Sequence, residues 1–116
     1  MKTIHTDQAP AAVGPYSQAI EANGVLYCSG QIAINPAEGK IVATTIEEQA
    51  EQCCRNVEAV LKEAGTDMSH VVKTTCFLAE IADFKAFNEV YAEFFTAPYP
   101  VRTTIGCDLR GILVEV

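Results

Sequence analysis

Two stretches of the chain repeat apolar residues every three or four positions, and short β-branched or aromatic runs surround them. The first stretch sets Ile46, Ala50, Cys53, Val57, Val60, Leu61 and Ala64 on one face, the spacing of an amphipathic helix. Thr45 and Glu48 precede it at capping-box spacing. Glu47, Glu48 and Glu51 suit the positive end of its dipole, and Gly65 stops it. The second stretch places Phe84, Phe87, Tyr91 and Phe94 on one stripe behind Asp83 as cap. Pro98 and Pro100 close that region. The stripe reads as core. Asn88 lies near its edge, where asparagine is locally unfavourable, so it either makes a specific hydrogen bond or sits at the surface.

The strand pattern fills the rest. Asn23-Gly24 separates the strand-like runs 17–22 and 25–29, a strong hairpin signal because a type I′ turn needs positive φ at both central residues. Residues 2–6 add a short edge strand. Two prolines and a glycine make residues 9–16 an ordered loop that ends on Tyr16. Residues 71–79, Val-Val-Lys-Thr-Thr-Cys-Phe-Leu-Ala, are apolar or β-branched on both sides and suit a central strand. Residues 101–107 and 112–116 read as a closing hairpin around the turn 108–111.

This order predicts an α+β fold, a mixed β-sheet with two α-helices packed on one face, in a single domain over residues 1–116. A central strand apolar on both sides needs cover on the sheet's other face. The chain has too few residues to supply a second layer, so oligomerisation is the economical answer.

Composition narrows the chemistry. A net charge of −7 without any basic run argues against nucleic acid or anionic membrane as partner. No apolar stretch approaches transmembrane length, and no secretory leader is visible. The five cysteines are odd in number, Cys53 and Cys54 are adjacent, and no C-x-x-C or Cys/His cluster occurs. They read as small buried hydrophobes in a reducing cytoplasm. A cysteine nucleophile would need His5 or His70 as its base, and neither lies in a nucleophile motif.

Arg102 stands out, a guanidinium inside an otherwise apolar strand. It cannot be neutralised by losing a proton, so it either has a structural carboxylate partner or keeps its fork free for an anionic ligand. If residues 108–111 close a hairpin, Thr104 faces Glu115 across the pair. Arg102, Thr104 and Glu115 then share a face, with Arg102 and Glu115 diagonal neighbours.

Five motifs occur in order: Gly14-Pro15-Tyr16-Ser17-Gln18-Ala19; Ser29-Gly30-Gln31-Ile32; Phe87-Asn88-Glu89-Val90-Tyr91 followed by Phe94-Phe95; Tyr99-Pro100-Val101-Arg102-Thr103; and Val114-Glu115-Val116. Together they resemble the RidA (YjgF) family of reactive-intermediate imine deaminases, also known as L-PSP endoribonucleases. The resemblance implies a chorismate-mutase-like subunit in a homotrimer, with the sheets forming a central barrel and sites in the clefts between subunits. It implies cofactor-independent, metal-free hydrolysis of 2-iminobutanoate and 2-iminopropanoate to the 2-oxo acid and ammonia.

On the same footing, Arg102 would hold the substrate carboxylate, Glu115 would orient or deprotonate the attacking water, and Tyr16 would close the pocket. Ser29, Gly30 and Ile32 would line it, Thr104 would contact the imine nitrogen, and Asn88 and Tyr91 would form a rim contributed by the neighbouring subunit. The turn 108–111 is shorter than in most relatives. Threonine at 104, where many relatives have cysteine, excludes a thiol role there. Two alternatives accompany this reading: a ribonuclease or translation inhibitor of the L-PSP type, and a non-catalytic small-acid binding module.

Overall fold

A computed structural model describes all 116 residues, Met1–Val116. Eight strands and two helices follow one another: β1 Lys2–Ile4, β2 Ala19–Ala22, β3 Val25–Cys28, β4 Ile34–Asn35, β5 Lys40–Ile41, α1 Ile46–Glu63, β6 Lys73–Leu78, α2 Phe84–Phe94, β7 Val101–Gly106 and β8 Val114–Glu115. The hairpin β2–β3 turns at Asn23 and Gly24 with φ of 54° and 78°, the left-handed pair that a type I′ turn demands. Helix α1 begins where expected: Thr45 Oγ1 accepts a bond from Glu48 N–H at 3.2 Å, and Gly65 follows its end at φ 84°. Helix α2 starts differently. A single 3₁₀ turn, Ile81–Asp83, leads into it, and Asp83 at φ −80°, ψ 1° makes no side-chain cap bond. Its backbone is already turning, which takes its carboxylate away from the extended geometry a cap requires.

β1, β2 and β3 form an antiparallel sheet, and β7, β6 and β8 form a mixed sheet in that order. Gln31 and Val116 exchange backbone bonds of 2.7 and 3.0 Å, so the chain just past β3 lies against the outer edge of β8. Both helices cover the same face. Ile46, Ala50, Cys53 and Leu61 of α1 and Phe87 and Tyr91 of α2 pack with Cys76, Leu78 and Val114 of the sheet. The two-helix, one-face architecture is therefore as the pattern predicts. On the other face Val101 and Ile105 remain 68% and 43% exposed.

The closing hairpin is not formed. β6 lies between β7 and β8, parallel to the first and antiparallel to the second. The reason is the crossover: α2 carries the chain from the end of β6 back to its start, which makes β7 a parallel neighbour. The chain then passes over the end of β6 to reach its other edge, turning at Arg110 and Gly111 with φ of 56° and 89°. This overturns the face assignment too. Arg102 stands beside Thr74 and Thr104 beside Cys76, in the row that faces the helices, whereas Glu115 stands beside Phe77 in the row that faces away. Arg102 and Glu115 are on opposite faces of the sheet, and no salt bridge joins them.

Candidate functional site

Arg102 is half-buried between β7 and α2. Its Nη1 donates to Asn88 Oδ1 at 2.8 Å, which resolves the two readings of Asn88 in favour of a specific bond. Its guanidinium carbon lies 4.8 Å from the ring centre of Tyr91, 5.4 Å from Phe84 and 5.9 Å from Phe87. Aromatic faces attract a cation but cannot neutralise it, and neither can an amide oxygen. The charge is thus held in place and left uncompensated. Of the predicted stripe on α2, Phe87 and Tyr91 are buried in the core and Phe94 packs against it, whereas Phe84 is 36% exposed and lies outside the core; Phe84, Phe87 and Tyr91 together cradle Arg102. That second role has no periodicity of its own, so the pattern could not reveal it.

Tyr91 is fixed in turn. Its hydroxyl shares a 2.7 Å hydrogen bond with Thr74 Oγ1 on β6, the residue beside Arg102 in the sheet register. Burial raises the phenol above its ordinary range, so it stays protonated and neutral under the guanidinium. Asn88 and Tyr91 belong to the same chain as Arg102 and touch it directly, so the rim expected from a neighbouring subunit is, for these two residues, the arginine's own support. Next in the row, the Thr104 hydroxyl is the one buried side-chain oxygen in the molecule without a hydrogen-bond partner. Leaving such a group unpaired costs about 1–3 kcal/mol.

A second group forms on the far side of the sheet. Tyr16, Gly30 and Ile32 line a cavity of about 70 Å³ together with Pro10, Val13 and Ile34. Gly30 serves two neighbours. It walls this cavity, and the Glu115 carboxylate lies where a Cβ at position 30 would stand. Any side chain there would displace Glu115. Tyr16 projects from its loop at 51% exposure, its hydroxyl accepting from Val13 N–H at 3.3 Å. Ser29 is committed structurally: its hydroxyl donates to Ser17 carbonyl at 2.6 Å, tying the end of β3 to the Tyr16 loop.

Buried amides hold these segments. Gln18 accepts from Thr6 N–H at 2.7 Å and donates to the Thr6 and Pro10 carbonyls, closing the base of the loop that ends on Tyr16. Asn56 of α1 donates to the carbonyls of Ile32 and Ile34, fixing the cavity floor. The available signal was a polar residue at a buried turn of α1, a position the apolar periodicity passes over. No three His, Cys, Asp or Glu side chains gather as a metal centre would require, and no helix is long and apolar enough to cross a membrane.

Residues 6–116 match the family model described as Endoribonuclease L-PSP. The chain is 48% identical over 118 residues to a putative regulator AldR of Lactococcus lactis, covering all of this chain and 94% of that protein. It is 44% identical over 117 residues to the human 2-iminobutanoate/2-iminopropanoate deaminase, covering 99% of this chain and 85% of the relative. Its fold matches the crystal structure of YyfA, a Rid-family protein of unknown function from Yersinia pestis. That match has a TM-score of 0.94 at 45% identity and covers 98% of this chain and 93% of that one. The names these relatives carry differ, from regulator to deaminase, but sequence and fold agree along nearly the whole length: the chain belongs to the RidA/YjgF family.

Proposed function

We propose that this protein hydrolyses small 2-imino acids, 2-iminobutanoate and 2-iminopropanoate among them, to the 2-oxo acid and ammonia without a cofactor. The observation that carries the reading is Arg102, bonded to an amide rather than to a carboxylate and laid against three aromatic faces. A planar fork with its charge uncompensated suits a substrate carboxylate, two parallel charge-assisted bonds of about 1.5–3 kcal/mol each. Thr104, next in the row, would reach the imine nitrogen through its backbone, since its hydroxyl is buried inside the chain.

Glu115 lies across the sheet from Arg102, so one copy of the chain cannot bring both to a molecule this small. The site is completed between copies: Arg102, Asn88 and Thr104 from one, and Tyr16, Gly30, Ile32 and Glu115 from the next. Two features support such an assembly. β7 has a free edge beyond β6, and the face beneath it exposes Val101 and Ile105. A homotrimer closing its sheets into a barrel buries both.

The chemistry asks little of the protein. An iminium carbon is already electrophilic, so the site must orient it and aim one water. Glu115 takes a proton as the water oxygen bonds to that carbon and the C=N electron pair moves to nitrogen. The proton then returns to the nitrogen, the C–N bond breaks as the hydroxyl gives its own proton to Glu115 and becomes the carbonyl, and the departing ammonia takes that proton away as ammonium. A positioned base of this kind contributes about 10²–10⁴ in rate.

The test generates 2-iminopropanoate with an amino-acid oxidase and follows its loss in competition with semicarbazide. The wild-type protein accelerates the loss, and Arg102→Ala lowers the acceleration at least a hundredfold. No acceleration by wild type, or equal acceleration by the variant, overturns the proposal. Glu115→Gln separates an enzyme from a small-acid binding module: the enzyme loses turnover and keeps 2-oxo acid binding.

A further inference from the structure

The strand that carries Glu115 is two residues long, with Val114 beside Leu78 and Glu115 beside Phe77. So short a strand has little ladder to fix its register. A slip of one residue would exchange its faces, turning Glu115 toward the helices and Val114 away from the core. Three further backbone bonds flank it, Ala79 N–H to the Leu113 carbonyl on one edge and the Gln31–Val116 pair on the other, and side chains add to that hold.

Helix α1 supplies the side-chain part of that hold, at the residue just before β8. Gln49, 5% exposed, accepts from Leu113 N–H through Oε1 at 3.1 Å and donates through Nε2 to the Ala43 carbonyl at 3.0 Å. Both ends of the amide are occupied, so it cannot rotate. One helical turn on, the Cys53 thiol points to the Val114 carbonyl at 3.6 Å, a weaker contact from the same face. A slipped strand would present the wrong backbone group to Gln49 and leave a buried donor or acceptor unpaired.

We infer that Gln49 is a positioning residue for Glu115: it locks the register of β8 and so keeps the carboxylate against Gly30, on the face where water is activated. The inference rests on the deaminase reading above. Gln49 shares the helix-covered side of the sheet with Arg102 but makes no bond to it or to its supports Asn88, Tyr91 and Thr74, so loss of the Gln49 bonds should act through Glu115 and leave the anion site in place.

The experiment compares Gln49→Met, which keeps length and volume but forms no bonds, with Gln49→Glu, whose buried, protonated carboxyl offers the same acceptor and donor. Each is measured with 2-iminopropanoate in the wild-type and Glu115→Gln backgrounds. Gln49→Met is expected to lower kcat about tenfold or more with KM changed less than threefold, and Gln49→Glu to keep kcat within threefold. In the Glu115→Gln background, Gln49→Met should cost less than twofold, since the group it positions is already gone. If Gln49→Met fails to fold, Gln49→Asn, one methylene too short to reach both partners, takes its place. Undiminished kcat in the Met variant, or an equal loss in both backgrounds, overturns the inference while leaving the deaminase reading standing. An inactive wild type overturns both.

Discussion

A carboxylate beside Arg102 would cancel its charge and occupy its fork, whereas the amide of Asn88 steadies one nitrogen and leaves the charge whole. Asn88→Asp therefore makes a sharp trial of the anion site. It should leave the melting temperature unchanged or higher, and weaken binding of 2-oxobutanoate at least tenfold by calorimetry. Equal affinity would mean that Arg102 does not hold the acid. The cysteines give a second prediction at this scale. Cys53, Cys54 and Cys76 are buried, and burial pushes the Cys54 thiol up to about 12 and Cys53 further still. In native protein at pH 8, Ellman's reagent should titrate at most Cys28 and Cys107, and all five only after unfolding. Rapid reaction of a third thiol would contradict this packing. Asn88 and Arg102 could each be singled out from the sequence, since each is polar in apolar surroundings. That they bond to each other could not, because α2 and β7 meet only in space.

Among the elements, the β3 exit and β8 are coupled through one missing side chain. Glu115 fills the place of a Cβ at Gly30, and its carboxylate is the flexible end of a long side chain that can swing aside. Gly30→Ala should then cost little stability, moving the melting temperature by a few degrees, and lower imine turnover about a hundredfold through the displaced base. A variant with full turnover would remove Glu115 from the mechanism. Helix α1 offers a contrasting control far from the chemistry. Thr45→Ala removes a cap worth about 1 kcal/mol, measurable by urea denaturation, and should leave kcat unchanged. Local signals served well where an element's start and stop are set by its own residues: the Asn23-Gly24 hairpin and both ends of α1 form as their turn and cap chemistry requires. Strand pairing is another matter. The short turn 108–111 made a hairpin the natural expectation, but α2 returns the chain alongside β6 first, and β8 is left with the other edge.

For the molecule as a whole, the open edge of β7 and the exposed Val101 and Ile105 are the surfaces that the proposed trimer would cover. Sedimentation equilibrium should find three copies in solution. Ile105→Glu sets a charge on the face the trimer would bury, where burial without a partner is costly. It should yield smaller species and lose turnover in proportion, with the secondary structure seen by circular dichroism retained. A monomer with wild-type activity would show that each chain carries a complete site. The same division accounts for the small cavity beside Tyr16. In the proposed trimer it would be one wall of a pocket that a second copy closes.

The sequence by itself determined both helices, the Asn23-Gly24 hairpin and the α+β class, because caps, turns and apolar periodicity are local facts, and the order of five motifs pointed to the family; it did not disclose the short β4–β5 pair. Only the tertiary structure decided how the site residues divide. Face and partner depend on strand order, and the order was set by the crossover through α2. Parity along a strand says which residues travel together, but only the neighbouring strand says which side they occupy. For that reason Arg102 and Glu115, neighbours in a hypothetical hairpin, stand on opposite sides of the sheet.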